Sequence, residues 1–252
     1  HPVMRKTIHP EYRHLDADLS ALPRGEYTPI KTFCNNRNKV ELVSIQGTQA
    51  VVKIYKKTNL ITGLIYTFFR KSKARRAYEH ALELLSRGIS TPFPIAYFEE
   101  RRWGIFRNGY FVSEYVDLPP VCEYFYSGHL DDQEHDLMAD NLSRFTLTLH
   151  SKGIIPLDYN TTNILFKKEE GRYKFTLIDI NRMKIGRVPK IKAAMMSFFQ
   201  LGTYPRDYYH LLAPYVNERN FDFEDALYHV ILHRRNQKRL RRFKRLFRPS
   251  RR

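Results

Sequence analysis

Leu157-Asp-Tyr-Asn-Thr-Thr-Asn-Ile-Leu-Phe166, followed by Leu177-Ile-Asp-Ile-Asn181, decides how this chain is read. The first stretch is Asp-x-x-x-x-Asn and then turns apolar, as a loop running into a strand does. The second is an apolar run ending in an acid, the pattern of a strand that delivers a metal ligand. Between them, residues 167–172 carry charges and one glycine, a hairpin turn signal. Upstream, a helical pattern over residues 137–150 ends at Lys152-Gly153, a C-cap signal just before the loop. An Asp and an Asn five apart are by themselves ordinary turn residues. The helix, loop, strand, turn, strand and acid around them give the pair its meaning.

In that order and spacing, Asp158, Asn163 and Asp179 match a kinase centre. Phosphoryl transfer asks little covalent work of a protein: one carboxylate near the acceptor hydroxyl, and two oxygen-bearing side chains holding Mg²⁺ against the ATP phosphates. Asp158 would be the first, Asn163 and Asp179 the others.

The 252 residues suit two lobes or two small domains, and 42% hydrophobic with 14% aromatic residues argues against general disorder. Cys34 and Cys122 show neither metal spacing nor a disulfide framework, which points to a reducing compartment. The first residues carry no apolar signal core, so no secretion is expected. The net charge is +17, and residues 234–252 hold 11 Lys and Arg and no acid, leaving about +6 for the rest. Leu240, Phe243, Leu246 and Phe247 recur at helical spacing in that tail. Such a basic amphipathic helix suits an anionic membrane surface, while packing on its own domain would give the same stripe. Nucleic acid needs no apolar stripe and is not an expected partner.

Residues 5–22 read as a terminal extension with a short helix. From Tyr27 to Tyr55 the text is strand-like, with a turn at Gln46-Gly47-Thr48 and a clean strand, Ala50-Val-Val-Lys-Ile-Tyr55. Lys53 lies inside that strand. A lone Lys there normally faces solvent, whereas an ATP kinase uses it to hold the α- and β-phosphates. Residues 60–69 form an amphipathic helix too short to span a bilayer. The basic run Arg70-Lys-Ser-Lys-Ala-Arg-Arg76 makes them either a second contact for lipid or an anionic substrate, or a core helix with a solvated end. A helix over residues 74–87 stops at Gly88. It carries Glu79, the first choice to hold the Lys53 rotamer, and Glu83 one turn further on. Two strands follow, residues 95–99 and 109–116. Glu114-Tyr-Val116, then Asp117 and Pro119-Pro120, read as a linker whose backbone at Glu114 and Val116 would meet adenine. Helices are expected over residues 130–150, 189–200, 206–217 and from 223 onward. The fold class is therefore α+β and bilobal. An extension (1–25) precedes a strand-rich lobe (26–117), a helical lobe (118–233) and the basic tail (234–252).

Ala50-Val-Val-Lys-Ile-Tyr55, Arg75-Arg-Ala-Tyr-Glu79, Gly88-Ile-Ser-Thr-Pro92, Leu149-His-Ser-Lys-Gly-Ile154, the Asp158 loop and Ile178-Asp-Ile-Asn-Arg182 together resemble the bacterial lipopolysaccharide core kinases. These are the Kdo/heptose kinase family of the protein-kinase-like superfamily. The resemblance runs from about residue 26 to residue 217. It implies ATP-dependent phosphorylation of a sugar hydroxyl on lipid A-core at the cytoplasmic face of the inner membrane, by a peripheral protein, with Kdo ahead of heptose. It also implies Lys53 as the phosphate-binding lysine, Glu79 as its partner, Asp158 as base, and Asn163 and Asp179 as Mg²⁺ ligands. The sequence departs from the superfamily in four places. Pro156 stands where a His is usual, Thr162 replaces a Gly, Asp179 is followed by Ile-Asn, and Cys34-Asn-Asn-Arg-Asn-Lys39 replaces a glycine-rich loop.

Beyond Asp179 the chain reaches Pro189 and a helix within about ten residues, leaving no room for a peptide-binding activation segment. A small or lipid-anchored acceptor fits better, and basic clusters suit a polyanionic one. A soluble sugar or aminoglycoside-type phosphotransferase and a pseudokinase binding module are the competing readings.

Overall fold

The structure is a computed structural model that describes residues 3–35, 38–56, 64–67, 70–126, 128, 130–202 and 205–246. The chain divides into two compact units, His1–Asp117 with Thr176–Arg182, and Leu118–Phe175 with Met183–Arg252.

The first unit is built on a six-stranded antiparallel sheet. Its strands are β1 (Val3–Ile8), β2 (Lys31–Asn35), β3 (Asn38–Ile45), β4 (Thr48–Tyr55), β5 (Pro94–Arg102) and β6 (Ile105–Glu114), in the spatial order β1-β5-β6-β4-β3-β2. Gln46-Gly47 joins β3 to β4 with both residues at positive φ, the tight hairpin geometry that matches strand twist. Alternation then sorts β4 into two faces. Ala50 and Val52 are fully buried and Ile54 packs against the same core, with Val43, Phe98 and Val112. Lys53 and Tyr55 take the other face. Helix α2 (Lys73–Ser86) packs on β5 and β6 through Ala74, Ala77, Ala81 and Leu84. The Ser72 hydroxyl caps it by accepting from Arg75 N–H at 3.1 Å.

Residues 5–22, read from the sequence as an extension, are part of this unit. β1 is the edge strand on β5, where its exposed Arg5 and Lys6 suit an edge. Leu15, Leu19 and Leu22, on or beside α1 (Asp16–Ala21), are buried in the core. Residues 36 and 37 of the Cys34–Lys39 turn lie outside the described residues. So do 60–63 and 68–69 of the expected 60–69 helix, of which 64–67 are helical.

The second unit begins with α3 (Val121–Phe125) and α4 (Asp132–Ser151). Helix α4 is capped by Asp131, which accepts from Glu134 N–H at 2.8 Å. It ends at Ser151 with Lys152 as its C-cap, and Gly153 follows at φ 69°, the left-handed stop signalled by Lys152-Gly153. Three short pieces follow: β7 (Ile154–Pro156), β8 (Ile164–Glu169) and β9 (Arg172–Leu177). β8 and β9 are joined through Glu170-Gly171, both at positive φ. β10 (Met183–Ile185) returns to pair with β7. Helices α5 (Ile191–Phe198), α6 (Pro205–Arg219) and α7 (Phe223–Leu246) complete the unit. Met138, Leu142, Leu149, Ile154, Phe198, Leu211, Tyr215 and Val230 are among its buried side chains. No break separates a basic tail from this unit at residue 234, because α7 runs on to Leu246. Leu240 is exposed on it. The side chains of Phe243 and Leu246, and all of Phe247, lie outside the described residues.

Candidate active site

Lys53 sits mid-strand on β4, flanked by Val40 of β3 and Phe111 of β6. Its Nζ lies 3.0 Å from Asp179 Oδ1, with the lysine mostly buried and the carboxylate half-buried. Asp179 takes φ 58°, a conformation that costs a non-glycine residue and persists only where the surroundings impose it. The surroundings do so at several points. Leu177 N–H donates to Ser90 O at 2.9 Å, and its carbonyl accepts from the Thr91 hydroxyl at 2.8 Å. His80 on α2 contacts Ile180 O through Nδ1 at 2.7 Å. Burial draws the His80 pKa down, so the ring is neutral near pH 7, and a carbonyl only accepts; Nδ1 therefore carries the proton. Asn181 Nδ2 donates to Asp179 Oδ1 at 2.7 Å. Among the described residues, Tyr55 Oη and Asn181 Oδ1 are buried without a well-formed hydrogen bond, although the two side chains are neighbours. Burial, then the Asp179 charge, raises the Tyr55 pKa, so its proton stays on.

In the second unit Asp158 and Asn163 belong to one compact loop. The Asp158 carbonyl accepts from Asn160 N–H and from Asn163 Nδ2, both at 3.0 Å. The Asn163 amide nitrogen is thereby committed, which fixes the side-chain orientation and leaves Oδ1 as its acceptor end. Asn160 Oδ1 accepts from Thr162 N–H at 3.0 Å and opens a single 3₁₀ turn, Thr161–Asn163. Tyr159 anchors the loop from below: it is fully buried, and its hydroxyl lies 3.0 Å from Thr146 Oγ1 on α4. That support comes from the residue after Asp158, in a loop where Pro156 stands in the usual histidine position. Just before β7, which leads into the loop, Gly153 and Gly186 cross closely, with Gly186 N–H donating to Gly153 O at 2.9 Å. A Cβ on Gly153 would lie 1.9 Å from Gly186 O, so only glycine fits there.

The other expected residues are placed as follows. Glu79 is engaged by Lys71 Nζ at 2.7 Å and Arg75 Nε at 2.9 Å. Burial opposes its ionisation, and these two cations outweigh burial to hold the carboxyl below the usual range. Glu83 pairs with Arg87. Among the described residues no ion pair joins Lys53 to either glutamate. The basic run opening α2 supplies Glu79 with nearer partners, one of them at i−4. The Glu114 N–H donates to Phe93 O at 2.9 Å and its carboxylate accepts from the Tyr12 hydroxyl. The Val116 N–H is in no backbone hydrogen bond among the described residues.

The family model for the lipopolysaccharide kinase (Kdo/WaaP) family matches residues 35–205. The chain belongs to that family. Membership makes it a kinase of lipopolysaccharide biosynthesis, an ATP-dependent phosphotransferase. Among solved structures, WaaP in complex with acyl carrier protein overlays 94% of this chain and 99% of its own, with a TM-score of 0.63 and 16% identity. At that identity the likeness speaks for fold alone, an α+β protein-kinase-like fold. The PknI kinase domain of Mycobacterium tuberculosis overlays 62% of this chain and 58% of its own, with 17% identity and a TM-score of 0.41, too low to argue from. No curated protein sequence matches the chain significantly.

Sequence reading passed over Tyr55, His80, Tyr159 and Asn181. Tyr159 and Asn181 lie inside the two deciding stretches, and Tyr55 follows Lys53 by two, on the same face of β4. His80 gave no signal at all, since its partner is a backbone carbonyl 100 residues away. The donors suit a hard cation. Within the first unit Asp179 offers a half-exposed carboxylate and Asn181 a buried amide oxygen; within the second, Asn163 offers an oriented amide oxygen; each is the kind of oxygen such a cation takes. No cluster of three or more His, Cys, Asp or Glu occurs among the described residues.

Proposed function

We propose that the chain transfers the γ-phosphoryl group of Mg·ATP to a sugar hydroxyl, Kdo in the first instance, of lipid A-core. The observation that carries this reading is the Asp158–Asn163 loop. One hydrogen bond, Asn163 Nδ2 to the Asp158 main-chain carbonyl, ties the amide that would meet the metal to the backbone of the residue that would supply the base. Lys53 would bind the α- and β-phosphates, with Asp179 fixing its ammonium until nucleotide arrives. Asp179 and Asn163 would hold Mg²⁺, which when bound neutralises charge on the phosphates. The Glu114 carbonyl and Val116 N–H would meet adenine. Glu79, neutralised by Lys71 and Arg75, would steady the start of α2 and could reach Lys53 only by giving up those partners.

Asp158 would orient the acceptor hydroxyl and take its proton. An ordinary carboxylate is a weak base for a sugar hydroxyl. In a loose transition state the proton leaves late, so placing the hydroxyl contributes more than basicity.

Helix α7 supports an anionic membrane as the setting. Arg235, Lys238, Arg239 and Arg242 line one stretch of it with exposed Ile231 and Leu240, the composition of a helix that lies on anionic lipid. Among the described residues no helix is long and apolar enough to cross a membrane.

The test is transfer of labelled phosphate from ATP to purified Kdo-bearing lipid A, with wild type, Asp158→Ala and Asp179→Asn side by side. Asp158→Ala should lower turnover about 10²–10⁴-fold with ATP binding kept, and Asp179→Asn should mainly weaken Mg-dependent nucleotide binding. Near-normal turnover by Asp158→Ala would remove it from the chemistry. Label in heptose or in a soluble sugar but not in Kdo would move the acceptor.

A further inference from the structure

Trp103 is the only tryptophan of the chain, and the fold turns it outward, 80% exposed. It holds the first position of the two-residue turn between β5 and β6 at φ 51°, with Gly104 at φ 76°. Asn or Gly would make this turn at lower conformational cost, so the sheet itself gives no reason for an indole there.

Other exposed apolar residues gather at the same end of the sheet. β1 starts opposite the end of β5, with Val3 paired to Arg101, and Val3 is 63% exposed. The helical segment 64–67 is fastened to the start of β6. Phe106 N–H donates to Thr67 Oγ1 at 2.9 Å, and the Tyr66 ring meets the Phe106 ring edge-on at 5.5 Å. That segment shows Leu64 and Ile65 to solvent, Ile65 at 44%. Cations accompany them. The exposed Arg102 guanidinium lies over the Trp103 ring at 4.8 Å, and exposed Arg70 follows the segment. Of the nearby acids, Glu99 is paired with Arg101 at 3.2 Å, while Glu100 accepts from the neutral Asn108 amide and keeps its charge, one acid beside the exposed Arg102 and Arg70. Separate apolar tips, an indole and unmatched positive charge are what a headgroup boundary accepts. A protein partner would call for one continuous face.

We propose that this end of the sheet is a docking surface for an anionic lipid bilayer. Trp103, Ile65 and Leu64 enter the headgroup boundary while Arg102 and Arg70 meet lipid phosphates. The surface is separate from helix α7, and the proposal does not rest on the phosphotransfer reading.

The single indole makes the intact chain its own probe. With phosphatidylglycerol-containing vesicles, Trp103 emission should shift to the blue and be quenched by lipids brominated on their acyl chains. Pure phosphatidylcholine vesicles should have little effect. Arg102→Glu should weaken vesicle affinity about fivefold or more, since a basic residue near an anionic surface is worth ~1 kcal/mol. Ile65→Ser, with charge unchanged, should weaken it as well. Co-sedimentation with vesicles while the indole emission stays unshifted would mean docking by another face, α7 included, and would overturn the proposal. Failure to bind phosphatidylglycerol vesicles at all, or an equal shift with inorganic phosphate, would overturn it too. None of these readouts uses turnover, so loss of this proposal leaves the kinase reading standing, and the reverse.

Discussion

In the function proposed here Asp179 and Asn163 share a task, each giving an oxygen to a metal, yet the fold secures them in different ways. Asp179 stands in a left-handed backbone position and is held by groups far off in the sequence: Lys53 on β4, Ser90 and Thr91, and His80, which meets Ile180 across 100 residues. Asn163 is held from within its own loop, by the carbonyl of a residue five positions earlier. The first arrangement is distributed, so any change in how α2 or β4 packs reaches Asp179. The second is local and tolerates change elsewhere, provided the loop's floor stays in place. An ion pair and several long-range hydrogen bonds make the first, a side-chain bond to the loop's own backbone the second.

The glycine crossing at the start of β7, the strand that leads into the local loop, is where the contrast is easiest to break. Gly153 and Gly186 cross with no room for a side chain, and Gly153 also needs its positive φ. Gly153→Ala should therefore cost more than ~4 kcal/mol, at the far end of single substitutions, and be read as loss of soluble folded protein or a collapsed denaturation midpoint. A stable, active Gly153→Ala would show that the loop does not depend on this crossing.

A second large effect belongs to the same unit and depends on pH. His150 is fully buried at the end of α4, with Nδ1 2.8 Å from the Tyr215 hydroxyl and Nε2 3.1 Å from Ser197 Oγ. Burial, with Arg219 adding to it, draws its pKa from 6.5 down to about 3. A folded value below the unfolded one means that the unfolded chain takes the proton first. Stability is then complete above pH 6.5 and is lost as pH falls toward 3, with a slope approaching ~1.4 kcal/mol per pH unit. Denaturant titrations across that window should show this acid limb, and His150→Gln should flatten it. An unchanged slope in His150→Gln would assign the acid sensitivity to other groups.

The same contrast explains what the sequence could tell. The Asp158 loop was legible because its geometry is local: the helix stop at Lys152-Gly153, the Asp–Asn spacing and the Glu170-Gly171 turn all act over a few residues. The strand-rich then helix-rich order was legible for the same reason, through periodicity. The first strand was not. Charged Arg5 and Lys6 disguise β1, and only its pairing with β5 makes it a strand. The surroundings of Lys53 were illegible in the same way. Which acid meets it depends on how α2 and the 176–182 segment fold back, and no spacing rule encodes that Lys71 and Arg75 would occupy Glu79 first.

The distributed hold on Asp179 gives a smaller and more specific effect. His80→Phe keeps the ring volume on α2 but removes the donor to Ile180 O, while the Ser90 and Thr91 bonds to Leu177 remain. With one tether gone, the strained position at Asp179 should relax, raising the KM for Mg·ATP about tenfold, worth ~1.4 kcal/mol, with kcat at saturation nearly kept. His80→Gln, which restores a donor, should recover part of the loss. A fall in kcat with KM unchanged would instead place His80 on the chemical step.

The smallest effect tests whether the local loop is as self-sufficient as its bonds suggest. Tyr159→Phe removes one buried hydroxyl from beneath Asp158 and leaves the ring in place. Thr146 Oγ1, its partner, keeps its bond to Leu142 O at 2.8 Å, so no buried donor is stranded. The cost should be about 1 kcal/mol of stability. Turnover should stay within about twofold, because the bonds from Asn160 and Asn163 to the Asp158 carbonyl do not involve Tyr159. A tenfold loss of turnover at unchanged stability would mean that the carboxylate is aimed from α4 through Tyr159. The loop would then be as dependent on distant packing as the Lys53–Asp179 pair.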